Sequence, residues 1–294
     1  MGAAMLGGVG GHAGLFANAL KSLPGHLTHP TPILYAQYTA NGQYPDESNY
    51  VGLNWSYYGW YSGALKDLQA VVNVNTETPL PNSANAIAAA TLLRAYYLHN
   101  MTDRWGRIPY SEALLGLDDT FPALDSQEDV YRGVIGEIDS ALGMINGNPG
   151  PNGDILFSGD MARWKQFGNT LKAIMALRMS KRNSEMSDFP KTVFNQAIGG
   201  AIKSASDNIS YTFLSDDNND NPWQDRFVDE GRTDWLMSDV IVDYMWTFGD
   251  VIPISQVQST VYEPEYEYFQ PGSFDVRLIV ETENSTKTIK VIVH

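Results

Sequence analysis

The chain has no cysteine among its 294 residues. That single absence excludes a disulfide framework, a thiolate zinc site and a cysteine nucleophile. Positive charge is also scarce: 19 Lys and Arg face 34 Asp and Glu, a net charge of −15. A surface so acidic argues against binding nucleic acid, or anionic lipid through a basic patch. No apolar run reaches the about 18 residues that a transmembrane helix needs, so none is expected. Histidine is limited to His12, His26, His29, His99 and His294. His26 and His29 sit in a Pro/Gly segment without carboxylate partners, and His99 near a helix end reads as packing or capping, so no metal site is expected. The phosphate-cradling Gly loop of Walker type is missing. Acidic pairs such as Asp118-Asp119 and Glu128-Asp129 read as solvated faces. No catalytic residue, metal ligand or cofactor is therefore assigned.

What is abundant is apolar and aromatic. Hydrophobic residues make up 43%, and the chain carries 7 Trp and 16 Tyr. This supply serves a large core, and also flat rings that stack on sugars. From 48 to 183 the pattern is helical. Leu53, Tyr57, Trp60, Tyr61, Ala64, Leu65, Leu68 and Val72 recur at three- and four-residue steps, forming one apolar face. After a break at Thr78–Ser83, Ser83 or Asn85 is a candidate cap for a helix whose packing face is Ile87, Ala90, Leu93, Ala95 and Leu98. Ser126 is the expected N-cap of the next helix, with Asp129 as the acidic partner of a capping box, and Val130, Val134, Ile138, Ala141, Leu142 and Ile145 face inward. Asn146 to Gly153 is a strong loop. Asp160 caps a further helix with Trp164, Phe167, Leu171, Ile174, Met175 and Leu177 inward and Arg163, Lys165, Lys172, Arg178, Lys181 and Arg182 outward. Four or so amphipathic helices in antiparallel pairs suggest a helical bundle or an irregular helix-hairpin solenoid.

Four stretches carry a family resemblance: Tyr38–Tyr44, Trp55–Leu68, Arg94–Leu114 with its Arg104-Trp-Gly-Arg-Ile-Pro-Tyr110 turn, and Gly159–Lys172 followed by Leu177–Ser180. In this order they resemble the SusD/RagB-type nutrient-binding outer-membrane lipoproteins, over about residues 31–245. The resemblance implies a mainly α fold built as a tetratricopeptide-like helical repeat bundle. It also implies non-catalytic binding of a glycan or other nutrient, an oligosaccharide or peptide, on the outer-membrane surface, and delivery to a SusC-like TonB-dependent transporter.

Two shorter resemblances flank it. Gly7 to Phe16 resembles a loop of serine beta-lactamase-like hydrolases. That family's Ser-x-x-Lys nucleophile motif is missing, so residues 1–30 are expected to be an irregular Gly/Pro-rich segment and no active hydrolase. Residues 246–294 resemble the later strands of a PKD-type immunoglobulin-like domain. Phe274, Val276, Leu278 and Val280 alternate, as do Ile289, Val291 and Val293, with Asn284 between them, which reads as a hairpin. Three resemblances meeting near residues 30 and 245 point to a chimeric or truncated gene product, with domain fusion as the alternative. The first eleven residues lack a basic n-region, their glycines break an h-region, and no Cys is available for lipidation. Membrane attachment is thus expected only through an anchor this sequence does not contain.

Candidate ligand contacts come from Asn54-Trp-Ser-Tyr-Tyr-Gly-Trp-Tyr61 and Asn221-Pro-Trp-Gln224: Trp55, Tyr58, Trp223 and Gln224. Rings stack on the C–H faces of pyranoses while the amide bonds a hydroxyl. Within the first cluster the helical spacing of Tyr57, Trp60 and Tyr61 reads as core. Trp223 follows a polar loop and a Pro, where exposure and burial are equally open and loops carry function more often than helix faces. Asp216 to Asn221 looks like a calcium loop, but the Gly is missing and Asp225 and Glu230 are badly spaced, so it reads as solvated. The competing function is a helical-repeat protein-interaction module without a small-molecule ligand.

Overall fold

A computed structural model describes residues 9–50, 55–116, 119–214 and 219–238, and three strands at 243–248, 257–259 and 276–281. In chain order the elements are α1 (Val9–Lys21), α2 (Leu23–Leu27), α3 (Pro30–Tyr35), β1 (Thr39–Asn41), α4 (Tyr58–Trp60), α5 (Lys66–Glu77), α6 (Ser83–Trp105), β2 (Ile108–Pro109), β3 (Leu124–Asp125), α7 (Gln127–Met144), α8 (Met161–Arg178), α9 (Phe189–Ala197), α10 (Pro222–Gln224), β4 (Trp235–Met237), β5 (Asp243–Phe248), β6 (Val257–Ser259) and β7 (Val276–Glu281). The protein is mainly helical. It divides into two compact units, residues 1–24 with 55–219 and residues 25–54 with 220–294.

The first unit is the helical one. Its central helix α6 packs on α5, α7 and α8. The pattern of α6 is alanine-rich, and its contacts explain why: Ala88, Ala89, Ala90, Leu92 and Ala95 are fully buried, so several sides of the helix meet neighbours and small residues let the backbones approach. The inward residues read from α7 are confirmed at Val130, Val134, Ile138 and Ala141. Trp60, Ala64, Leu65 and Leu68 are buried as the spacing required, while Leu53 lies outside the described residues. Between α4 and α5 the helix widens through a π turn, Tyr61–Leu65, at Gly63. There the Tyr61 hydroxyl donates to the Pro109 carbonyl, joining this helix to the Ile108-Pro109-Tyr110 turn.

Caps explain the helix starts. The Ser126 hydroxyl oxygen accepts from the Asp129 N–H at 3.1 Å, and its O–H donates to the Asp129 carboxylate at 2.6 Å. Asp160 accepts from the N–H groups of Ala162 and Arg163. Both satisfy donors that a helix start leaves unpaired. The α6 start differs from the expectation. Neither Ser83 nor Asn85 caps it; Asn82 holds the position without a side-chain bond. Ser83 instead donates to Asn75, and Asn85 takes up the 146–149 loop through the carbonyls of Asn146, Asn148 and Pro149. Both are buried, and each satisfies its polar atoms across elements rather than along its own helix.

Three residues of α8 also lie opposite to their reading. Ile174 and Leu177 are exposed, and Lys172 is buried with its ammonium on the Asp139 carboxylate. The buried stem of Lys172 packs as a hydrocarbon while its charge finds one partner.

The largest correction is at the N-terminus. Residues 9–21, expected to be irregular, form α1, and the run likened to a hydrolase loop lies partly inside it. Three interior glycines cost roughly 0.5–1 kcal/mol each in a helix. Phe16 and Leu20 are fully buried, and burying each such side chain contributes about 1.5–3 kcal/mol, so packing wins over propensity. Phe16 meets the fully buried Trp164, and the Tyr97 hydroxyl donates to the Ala19 carbonyl at 2.8 Å. Gly153, at φ +80°, fits against this helix because a Cβ there would lie 2.1 Å from the Ala13 carbonyl oxygen.

In the second unit β1 pairs antiparallel with β4, Thr39 opposite Met237 and Asn41 opposite Trp235. The strands β6, β5 and β7 form an antiparallel sheet in that order. The backbone of the first alternating run, 276–280, thus pairs with β5. Phe274, Asn284 and the second run at 289–293 lie outside the described residues.

Candidate functional site

The surface that best fits a ligand lies in the second unit, where β4 and the short α10 meet. Its foundation is a polar knot. The Asn41 amide donates to Glu47 at 2.8 Å and to Asp234 at 2.9 Å, while its oxygen accepts from the backbone of Gln43 and Tyr44. Arg232 grips Asp234 with two bonds, at 3.0 and 2.6 Å. That grip holds the Asp234 carboxyl below the usual carboxylate range, against the opposing effect of desolvation. Gly42 donates its N–H to the Asp234 carbonyl, and a Cβ at this glycine would press on Leu236. The knot fixes β1 to β4 and so fixes Trp235, whose ring carries the Arg232 guanidinium at 3.8 Å.

On this foundation stands an aromatic cluster. Asn221 caps α10 by accepting from the Trp223 N–H at 2.9 Å, and Pro222 supplies the fixed φ of a first helical turn. The helix widens into a π turn, Asp225–Asp229. Trp223 and Phe227 thereby stack, with centroids 5.6 Å apart and planes 19° from parallel. Trp235 meets both edge-on. Trp223 is half-buried, Gln224 is exposed, and Phe227 keeps 43% of its surface in solvent. Arg226 lies over both tryptophans, 5.5 and 5.8 Å from their centroids, and donates to the Pro222 carbonyl.

Of the four residues read from the sequence, Trp223 and Gln224 are adjacent in this cluster. Trp55 and Tyr58 belong to the helical unit, at the start of α4. Tyr58 is 72% exposed, and its N–H donates to the Ser56 hydroxyl. Trp55 is half-buried, and its carbonyl accepts from the Trp105 indole at 3.2 Å. Tyr57 and Trp60 pack edge to face on Trp105, and Trp60 is buried as the helical spacing indicated. Sequence reasoning missed Arg226, Phe227, Arg232 and Trp235. The four-residue step from Trp223 to Phe227 was a legible signal; the bond from Asn41 to Asp234 was not.

Two other places were tested as sites. A cavity of about 30 Å³ in the helical unit, lined by His12, Phe16, Val71 and Asn75 among others, holds a water-sized molecule and no sugar ring. The carboxylates of Asp220, Asp225 and Asp229 lie within 4.8 Å of one another. The turn after α10 thus gathers acids that looked badly spaced in sequence, but a partly exposed trio alone does not define a cation site, and Asp216 to Asn219 of the acidic run is mostly outside the described residues.

No curated protein matches the chain. Among solved structures it is similar to a SusD homologue of Parabacteroides distasonis, at 22% identity and TM-score 0.65, over 80% of this chain and 48% of that one. A SusD/RagB family protein of Bacteroides thetaiotaomicron aligns at 18% identity and TM-score 0.62, over 84% and 56%. A chitin-binding protein aligns at 23% identity and TM-score 0.58, over 67% and 45%. At these identities the likeness establishes the fold. The chain spans about half the length of these relatives, between 45% and 56%. A family model described as starch-binding and associating with the outer membrane matches residues 11–257, a span that takes in α1 and runs past the 31–245 expected from the motifs. The chain therefore belongs to the SusD-like family.

Proposed function

We propose that this protein binds a glycan or related nutrient without transforming it, on the cell-surface side of the outer membrane, and passes it to a SusC-like TonB-dependent transporter. The observation that carries the reading is the stacked pair of half-buried Trp223 and exposed Phe227, both packed against Trp235 on a strand held by a knot of buried polar bonds. Aromatic rings with a small number of placed polar groups are the ordinary lining of a small-molecule site. The family description names starch, and a structural relative is named for chitin, which supports a saccharide over other nutrients. No helix among the described residues is long and apolar enough to cross a membrane, which fits surface attachment. Tyr58, with its exposed ring, is a separate candidate contact on the helical unit.

The test is titration calorimetry of the full chain with malto- and chito-oligosaccharides. Trp223→Ala is expected to weaken binding about tenfold, a loss of about 1.4 kcal/mol for one aromatic contact. Trp55→Ala and Tyr58→Ala show whether the helical unit also takes part. Saccharide binding that survives all three substitutions unchanged would remove this surface from the site.

A second reading, a protein-interaction module, is favoured by one feature. Phe121 is 92% exposed on the loop between β2 and β3, a loop held by the Asp125 carboxylate on Tyr110 and Ser111 and by Glu112 on Ala123. Phe121→Ser leaves sugar binding intact in either reading, and loss of a protein partner on that substitution would support the second.

A further inference from the structure

We infer that Asn152 is a site of spontaneous modification, an asparagine that cyclises and hydrolyses to aspartate and isoaspartate, and that the isoaspartate product loosens α1. The sequence holds three Asn-Gly pairs: Asn41-Gly42, Asn146-Gly147 and Asn152-Gly153. Each pair has the needed chemistry, because a glycine leaves its main-chain nitrogen open to the preceding side chain. In the reaction the Gly153 nitrogen attacks Asn152 Cγ. A Cγ–N bond forms, the Cγ–Nδ2 bond breaks, and ammonia leaves with the proton of the Gly153 N–H. One water then opens the succinimide ring. Addition at Cγ gives aspartate. Addition at the main-chain carbonyl carbon gives isoaspartate, whose main chain is one carbon longer.

The fold treats the three pairs differently. Asn41 is buried, its amide donates to Glu47 and Asp234, and its oxygen accepts from the N–H groups of Gln43 and Tyr44. The Gly42 N–H donates to the Asp234 carbonyl at 2.7 Å, so the attacking nitrogen and its target are both held. Asn146 is exposed, but its oxygen accepts from the Asn148 N–H at 2.9 Å and its own N–H donates to Asn85, which grips the carbonyls of this loop. Asn152 is exposed, and among the described residues neither its amide nor the Gly153 N–H makes a hydrogen bond. Cyclisation at Asn152 therefore breaks no bond, whereas Asn41 must first open. The neighbours of Asn152 give the change its effect. Gly153, at φ +80°, sits so close to α1 that a Cβ there would lie 2.1 Å from the Ala13 carbonyl oxygen. On its other side Asp154 is buried and accepts from the Trp164 indole at 2.7 Å. Asn152 and His12 of α1 line the same small cavity. A main chain one carbon longer at this point has to shift Gly153 against α1 or Asp154 against Trp164.

The test incubates the full chain in mildly alkaline buffer, folded and in urea, and follows each Asn-Gly peptide by mass spectrometry with fragmentation that separates isoaspartate from aspartate. In the folded chain Asn152 is expected to convert fastest, several-fold ahead of Asn146 and about tenfold or more ahead of Asn41, whose hydrogen bonds must break first. In urea the three rates should converge, since the fold no longer holds any of them. Equal rates in the folded chain, or Asn146 or Asn41 in the lead, overturn the site. The effect is read by hydrogen exchange along residues 13–21 of α1. Exchange should be faster in the converted protein than in Asn152→Gln carried through the same incubation, and unchanged in Asn152→Asp, which adds the charge without the extra carbon. Converted protein that exchanges like Asn152→Gln overturns the loosening of α1. Equally fast exchange in Asn152→Asp overturns the role of the longer main chain.

Discussion

Asp103, near the end of α6, is met by side chains of three helices. The Tyr131 hydroxyl of α7 donates to it at 2.6 Å, Arg178 at the end of α8 lies 3.1 Å away, and His99 one turn back on α6 also lies at 3.1 Å. Desolvation raises its carboxyl pKa, but the bonds from His99 and Tyr131 and the charges of His99 and Arg178 outweigh it, so the net shift is downward. A depressed carboxylate pKa contributes stability above the unfolded value of about 3.9 and loses it as pH falls through the folded value. Asp103→Asn is expected to destabilise the protein by about 1–3 kcal/mol near pH 7, since it removes charge and leaves Arg178 without its partner. The gap between native and variant, followed by urea unfolding, should hold down to about pH 5 and shrink below about pH 4. A gap still full at pH 2 would show that Asp103 acts by shape alone. This site was not legible in sequence. His99 read as packing or capping, and Asp103 and Arg178 are 75 positions apart in a chain with 34 acidic residues. Trp223 could be singled out in the sequence as an aromatic after Asn-Pro in a polar stretch, but its contacts with Phe227 and Trp235 could not.

Among the elements, α1 shows why a local reading fails where a tertiary contact decides. Its glycines look like a flexible tail, and nothing in 9–21 announces that Phe16 and Leu20 have a core to fill. Helices α5 to α8 were legible because each carries its own apolar stripe and, at Ser126 and Asp160, its own cap, whereas α9 was not read. Helix faces were legible except where a helix is covered on several sides, as α6 is, or where a lysine is drawn inward by a partner on another helix, as Lys172 is by Asp139. Two glycine substitutions test α1 with opposite signs. Gly153→Ala places a Cβ 2.1 Å from the Ala13 carbonyl oxygen at a positive φ, and is expected to cost roughly 2–4 kcal/mol. Gly14→Ala, inside α1 with nothing within 4 Å of the new methyl, should stabilise by about 0.5–1 kcal/mol through helix propensity. Thermal melts of both variants decide the matter. Two neutral results would mean that α1 is not folded onto the loop at Gly153.

At the scale of the molecule the two units are built on different principles. The main hydrophobic cluster, from Phe16 through Leu93 and Trp164 to Val193, lies wholly in the helical unit. Among its described residues the second unit buries Leu34 and Trp235 and is tied together by polar bonds, Asn41 to Glu47 and Asp234, and Asp234 to Arg232. Units with little buried apolar area open at lower free energy than a large core. Scanning calorimetry is therefore expected to show two transitions, the second unit melting first. Asn41→Ala removes the centre of the polar knot and leaves the Asp234 carboxylate short of a donor, so it should lower the first transition by several degrees and leave the other in place. Leu93→Ala opens a cavity in the large core at a cost of about 2–5 kcal/mol and should lower only the second. A single sharp transition that both substitutions move would show one cooperative body. The outcome bears on function, because the stacked rings at Trp223 and Phe227 stand on the polar knot. If the second unit melts on its own, a bound sugar should raise the first transition and leave the second where it was, since a ligand stabilises only the state that holds its site.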